Sequence, residues 1–283
     1  MKKIIVTGDD FGLALPVNEA IVEAHRAGVL TTASLMVGAE FCSDAVERAK
    51  QRPSLHVGLH LTLVEGRPVL APHEVPDLVN DEGAFSTRLA RAGFKFFFRP
   101  GIRSQLEAEI RAQYEKFCGT GFALDHVNAH NHMHLHPTIL GLLLKVGKDY
   151  GLKAVRLPYE PPVLSWRASG KFLASRLTSW VFLWPWMARM KHTLRRAGVR
   201  CNDFLFGMTD GGSMTTELTV RLAGNLPTGT TEFCFHPATR RCNEIDRTMP
   251  FYRHEEEFKA LTSPSLLQAL NAARAQRIAF SDL

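Results

Sequence analysis

Five of the chain's twelve histidines fall within eleven residues: His126, His130, His132, His134 and His136, in the stretch Asp125-His-Val-Asn-Ala-His-Asn-His-Met-His-Leu-His-Pro137. Neutral imidazole is a common metal ligand and the usual proton carrier near neutral pH. On a straight strand alternate side chains share a face, about 6.6–7 Å apart. His130, His132, His134 and His136 would then spread over about 20 Å, too far for one ion to hold all four. At most two adjacent ones serve one ion, and the others orient or line the site. The bland alternative is a solvated or purely structural run, and the interleaved Val127, Met133 and Leu135 weigh against it.

A second group of chemical side chains opens the chain. Asp9 and Asp10 follow an apolar run, Lys2 to Thr7, that reads as a buried strand. Adjacent carboxylates at a strand end point to different sides, so one can hold a metal while the other stays free to handle a proton. Joined to His60 and His130, the pair gives one Asp and two His for a divalent ion. Three protein ligands with an open position is the catalytic zinc arrangement, and the same set suits non-heme Fe(II). Magnesium is the alternative that asks for more oxygen. His236 closes the apolar run Phe233-Cys-Phe-His-Pro237 and is a candidate general acid, with a structural histidine as its bland reading. Arg156 ends another apolar run and either clamps a substrate, orients Asp9 or pairs with Glu160. No P-loop, GxGxxG or GxSxG motif occurs.

These residues need a scaffold that gathers them. Strand-like runs at 2–7, 32–37, 55–63, 123–129, 154–159, 203–208, 230–235 and 277–280 alternate with helical ones at 16–26, 42–51, 103–117, 137–150, 217–223, 254–261 and 264–275, without hairpin signals. Such alternation predicts a parallel α/β architecture. Asp9, Asp10, His60, His130, Arg156, Asp210 and His236 all stand just after expected strands. A barrel collects such positions at its C-terminal rim, whereas an open doubly wound sheet scatters them. The expectation is therefore one α/β domain over 1–283, a distorted (β/α) barrel of about seven or eight mostly parallel strands. The Pro- and Gly-rich stretch 65–86 reads as a long functional loop.

Composition fits a globular protein: 45% hydrophobic and 22% charged residues in 283. Five scattered cysteines without a CxxC argue against a disulfide framework and for a reducing, cytoplasmic setting. The N-terminal apolar run is too short for a signal peptide. The net charge of +6 is uneven. Residues 161–202 hold eight Lys/Arg and no Asp or Glu, together with all four tryptophans, Trp166, Trp180, Trp184 and Trp186. A second basic and apolar patch surrounds Phe94, Phe96, Phe97 and Phe98. The Trp/Arg-rich segment is either helical packing with a solvated basic face, or a helical flap touching lipid, where tryptophans bury at the interface and Lys/Arg meet anionic head groups. The expected location is the cytoplasm, with contact at the inner face of the membrane. The patch carries no nucleic-acid motif, and no nucleic-acid partner is expected.

Four stretches, Ile-Val-Thr-Gly-Asp-Asp-Phe-Gly (5–12), His-Val-Gly-Leu-His-Leu-Thr (56–62), His-Val-Asn-Ala-His-Asn-His-Met-His (126–134) and Glu-Phe-Cys-Phe-His-Pro (232–237), resemble in order the motifs of the YdjC-like carbohydrate deacetylases. The resemblance spans nearly the whole chain. It implies a distorted barrel, one divalent ion (zinc, with magnesium as the alternative) and removal of acetyl from an N-acetylated sugar. It makes Asp10, His60 and His130 the ligands, Asp9 the general base and His236 the general acid; His132, from its place in the run, is a second candidate for the acid. His132, His134, Arg156, Asp210, Trp184 and Trp186 would support the site or the substrate. One departure is visible: the family has Asp-Ser-His where this chain has Asn128-Ala129-His130. A narrower resemblance, in Arg-Leu-Pro-Tyr-Glu-Pro (156–161), Leu-Trp-Pro-Trp (183–186) and Cys-Phe-His-Pro-Ala-Thr (234–239), is to the hopanoid-associated (HpnK-like) branch. It implies a glycolipid substrate, N-acetylglucosaminyl bacteriohopanetetrol. The alternatives are a deacetylase of soluble chito-oligosaccharides, a hydrolase of another ester or phosphoester, and an idle metal- or glycolipid-binding protein at the membrane. Oligomeric state is not legible.

Overall fold

A computed structural model describes residues 1–283. Seven strands form one sheet: β1 (Lys2–Phe11), β2 (Thr32–Leu35), β3 (His56–Leu61), β4 (Val127–Ala129), β5 (Phe204–Phe206), β6 (Gly229–Phe235) and β7 (Ala275–Arg277). Their order is β4-β3-β2-β1-β6-β5, with β7 against β1, and these pairings are all parallel. Parallel strands are buried on both faces, and β1 and β6 are buried along nearly all their length, with Asp9, Asp10 and Glu232 among the buried polar residues they carry. β1 is ten residues long, so β7 pairs with Lys2–Ile4 while β2 pairs with Thr7–Phe11.

Residues 154–156 close the gap between β4 and β5. Val155 bridges Val127, Ala154 bridges Arg200, and the Leu205 N–H donates to the Tyr159 carbonyl at 2.8 Å. The sheet thus curves into the distorted barrel expected from the alternation. The expected strand over 154–159 shrinks to these bridges, because Pro158, Pro161 and Pro162 withhold N–H donors from a continuing ladder. The final strand comes earlier than expected, at Ala275–Arg277.

Eleven α-helices surround the strands: α1 (Leu15–Ala27), α2 (Cys42–Lys50), α3 (Leu89–Phe98), α4 (Pro100–Cys118), α5 (Pro137–Gly147), α6 (Pro162–Ser169), α7 (Leu173–Arg196), α8 (Thr216–Gly224), α9 (Asn243–Thr248), α10 (His254–Leu261) and α11 (Pro264–Ala272). Proline in the first turn starts α1, α5, α6 and α11, where its missing N–H costs nothing. α3 and α9 were not anticipated. The Trp/Arg-rich segment is helical, as expected: α6 and α7 pack together, and Pro185 lies inside α7. No helix among the described residues is long and apolar enough to cross a membrane.

Candidate active site

The histidine run is not an extended strand. β4 ends at Ala129, and His130–Leu135 form a tight 3-10 turn in which Asn131 and His132 have left-handed backbone (φ 52° each). The alternating-face geometry therefore does not apply, and the histidines fan out. His130 is buried at the end of β4. His134 is buried and donates from Nε2 to the Arg156 carbonyl at 3.1 Å. His136 caps the entry to α5 and packs edge-on against Phe96 and Phe97.

β1 delivers the carboxylates. Its register against β2 shifts between Gly8 and Phe11, and Asp10 adopts φ 61°. Bulges re-aim side chains beside functional sites, and left-handed non-glycine residues persist only where the surroundings enforce them. Of the six such residues described, Asp10, Glu65, Asn131 and His132 surround this one place. Asp10 Oδ1 lies 3.2 Å from His60 Nε2 and 3.0 Å from His130 Nδ1. All three residues are buried, and their ligand atoms lie within 4.8 Å of one another.

The protonation pattern of this trio follows from its neighbours. Asn128 Nδ2 donates to Asp9 Oδ1 (3.1 Å) and to Ser34 Oγ (2.9 Å). Its Oδ1 can then only accept, so the 2.7 Å contact with His60 is donated by His60 Nδ1. That leaves a lone pair on His60 Nε2 facing an Asp10 oxygen. Two lone pairs at 3.2 Å repel unless a positive charge stands between them. Asp10 Oδ2 and His60 Nε2 are indeed buried without a hydrogen-bond partner among the described residues. Burial opposes a charge on His130, yet Asp10 and Glu65 push it up to about 10. The pocket therefore calls for positive charge, and one oxygen with two nitrogens suits zinc or Fe(II) better than magnesium. Asn128 supplies a neutral acceptor to His60 and a donor to Asp9. An ionised aspartate there could not donate to Asp9.

Asp9 is held differently from the expected free carboxylate. Arg156 grips both oxygens (Nη1 to Oδ2 at 2.5 Å, Nη2 to Oδ1 at 3.0 Å), Asn128 donates to Oδ1, and the Cys234 thiol donates to Oδ2 at 3.1 Å. A carboxylate has about four acceptor sites, so all are taken. Burial opposes ionisation of Asp9, but the Arg156 guanidinium holds its carboxyl well below the usual carboxylate range. Arg156 is itself fully buried and paired with Glu232 at 2.6 Å. It orients Asp9, and its alternative partner Glu160 instead joins Asp210 in holding Arg176 of α7. Asp210 thus anchors the flap through that ion pair.

His236 follows β6, and one of its ring nitrogens lies within 4.8 Å of an Asp9 oxygen and Cys234 Sγ. Burial lowers its affinity for a proton. His132, also lowered by burial and by Arg156, has a buried Nδ1 with no partner among the described residues. Three residues escaped sequence reasoning. Glu65 lies 3.4 Å from His130 Nε2, Glu232 holds Arg156, and Glu257 accepts the His236 N–H. Glu65 follows the His60 motif and Glu232 opens the motif that ends at His236, but neither carried an expected role, and Glu257, in a Glu-rich helix, gave no signal.

Trp184 and Trp186 lie on α7, half exposed. With α3 and the 3-10 turn, α7 borders an apolar groove of about 490 Å³ whose lining includes Phe94, Phe97, Phe98, Leu183, Trp186 and His132. Phe94 and Phe98 on α3 and Phe182 on α7 are among the most exposed large hydrophobics described.

Comparison with known proteins places this geometry. A carbohydrate deacetylase of Brevibacillus brevis is 31% identical over 284 residues, covering 99% of each chain. One of Thermoanaerobacter pseudethanolicus is 26% identical over 95% of this chain and 94% of its own. A crystal structure of a protein from Enterococcus faecalis V583 superposes with a TM-score of 0.76 at 23% identity, over 99% of this chain and 98% of that one, and so shares the fold. The profile described as YdjC-like protein matches residues 3–272, and this chain belongs to that family.

Proposed function

We propose that the chain is a metal-dependent carbohydrate N-deacetylase, acting as a single catalytic domain, that hydrolyses the acetamide of an N-acetylated amino sugar. The observation that carries this reading is the pair of facing lone pairs on buried Asp10 and His60, completed by His130, beside an Asp9 held ionised. Full-length relatives named carbohydrate deacetylases support the substrate class. A divalent ion held by Asp10, His60 and His130 would polarise the acetamide carbonyl and acidify a water. Asp9 accepts the proton of the attacking water. The weakest of its four donors, the Cys234 thiol, gives up its place on Oδ2 to that water, while Arg156 and Asn128 keep the carboxylate aimed. His236 protonates the leaving amine, with His132 as the alternative donor.

The groove between α3 and α7 favours a lipid-linked sugar, N-acetylglucosaminyl bacteriohopanetetrol, over a soluble chito-oligosaccharide. A sugar at the rim beside His132 would continue into an apolar channel of ligand-pocket size. The exposed aromatics of α3 and α7, with Arg189, Lys191, Arg195 and Arg196 following on α7, suit the inner face of an anionic membrane. Acetate release from lipid-linked and short soluble N-acetylglucosaminyl substrates tests the choice. A higher kcat/KM on the lipid-linked one is expected, and equal or better use of the soluble one contradicts the lipid reading while leaving the deacetylase reading intact.

A further inference from the structure

Charged and titratable groups surround His236: Asp9 and Asp10 from β1, His60 from β3, Cys234 from β6, His132 from the 3-10 turn, Tyr252 at 5.2 Å between ring centroids, and His254 and Glu257 from α10. Glu257 faces both its backbone and its ring. Oε2 accepts the His236 backbone N–H at 2.5 Å and lies 4.0 Å from His236 Nδ1. That ring nitrogen is buried and has no hydrogen-bond partner among the described residues. Oε1 accepts the Met214 N–H at 3.0 Å, and His254 Nδ1 donates to the His236 carbonyl at 2.6 Å. One fully buried carboxylate therefore ties together the loops that follow β5 and β6.

We propose that Glu257 is the positioning residue of His236. Its carboxylate fixes the backbone and draws the ring proton to Nδ1, so that Nε2 exchanges a proton with the leaving amine. An acid or base oriented by a third group is the usual way a proton is aimed. Burial raises Glu257 to about 7, despite the backbone N–H groups it accepts. The role in turnover rests on the deacetylase reading, but the ring tautomer does not.

Two measurements test it. Nitrogen-15 NMR of the His236 ring in the wild-type protein, assigned by its loss in His236→Gln, is expected to show the neutral ring protonated on Nδ1. A ring protonated on Nε2, in protein that releases acetate, overturns the proposal and leaves the deacetylase reading standing. Glu257→Gln keeps a backbone acceptor but removes the charge. It is expected to lower kcat about 10²-fold, the lower end of what positioned acid catalysis contributes, with KM little changed. The basic limb of the kcat/KM profile should move to lower pH, and Glu257→Asp should restore part of both. An unmoved limb with wild-type kcat overturns the proposal. Should the Gln variant not fold, the wild-type tautomer decides.

Discussion

At the scale of single residues, the hydrogen bonds around Asn128 admit one assignment. Asn128 can donate only to Asp9 and Ser34, and therefore must accept from His60. Removing it leaves three buried polar groups short of a partner. Asn128→Ala is expected to cost about 1–3 kcal/mol in urea unfolding and to weaken zinc binding about 10–100-fold, as loss of an orienting partner does. Zinc affinity at the wild-type level would show that Asn128 does not set the His60 tautomer. Arg156 is enclosed by Asp9 and Glu232. Arg156→Met strands both carboxylates and should destabilise the fold by about 3–5 kcal/mol. Because Asp9 titrates below the ordinary carboxylate range, its contribution to stability is complete above the unfolded pKa, about 3.9, and is lost as pH falls through the folded value. Melting temperatures across acid pH should fall less steeply in Asp9→Asn than in wild type. Asp9, Asp10, His60, His130 and His236 were legible because short motifs flag them. Glu232 lies in such a motif, but its role was not legible, since its partner Arg156 is 76 residues away in sequence.

At the scale of elements, the histidine run shows how a local rule fails. Alternation on a strand was the natural reading, but the chain turns at His130 through left-handed Asn131 and His132. From that turn His132 lines the apolar groove while Arg156, Asp9 and His236 act on its ring. α3 stayed hidden because three of its four phenylalanines, Phe94, Phe97 and Phe98, are exposed, so they give no clean buried stripe. β3 carries a tighter constraint. A Cβ at Gly58 would overlap the ring and carbonyl of His126, whose Nε2 contacts Ser34 in the network behind the site. Gly58→Ala is expected to cost about 1–3 kcal/mol by overpacking, read as a shift of the urea midpoint at unchanged slope. For α7, substitution is a cleaner test than excision, because Arg176, Met187, Met190 and Leu194 are buried. Replacing Trp184 and Trp186 by Ser should raise KM for a lipid-linked substrate at least tenfold more than for a short soluble amino sugar. Equal effects on both would make the tryptophans structural.

For the molecule as a whole, alternating strand and helix patterns predicted the barrel, and its C-terminal rim holds Asp9, Asp10, His60, His130, Arg156 and His236. The closure itself was not legible. It depends on three-residue strands and on bridges at Ala154 and Val155 that are too short to leave a period in the sequence. The proposed chemistry requires that Asp10, His60 and His130 hold a divalent ion, without which the acetamide is not hydrolysed. The direct measurement is acetate release from an N-acetylglucosaminyl substrate by wild-type protein before chelation, after chelation, and after adding back one equivalent of zinc, with Asp10→Ala alongside. Loss on chelation, recovery with zinc and no recovery in Asp10→Ala is the predicted result. Undiminished acetate release by metal-free protein would contradict it.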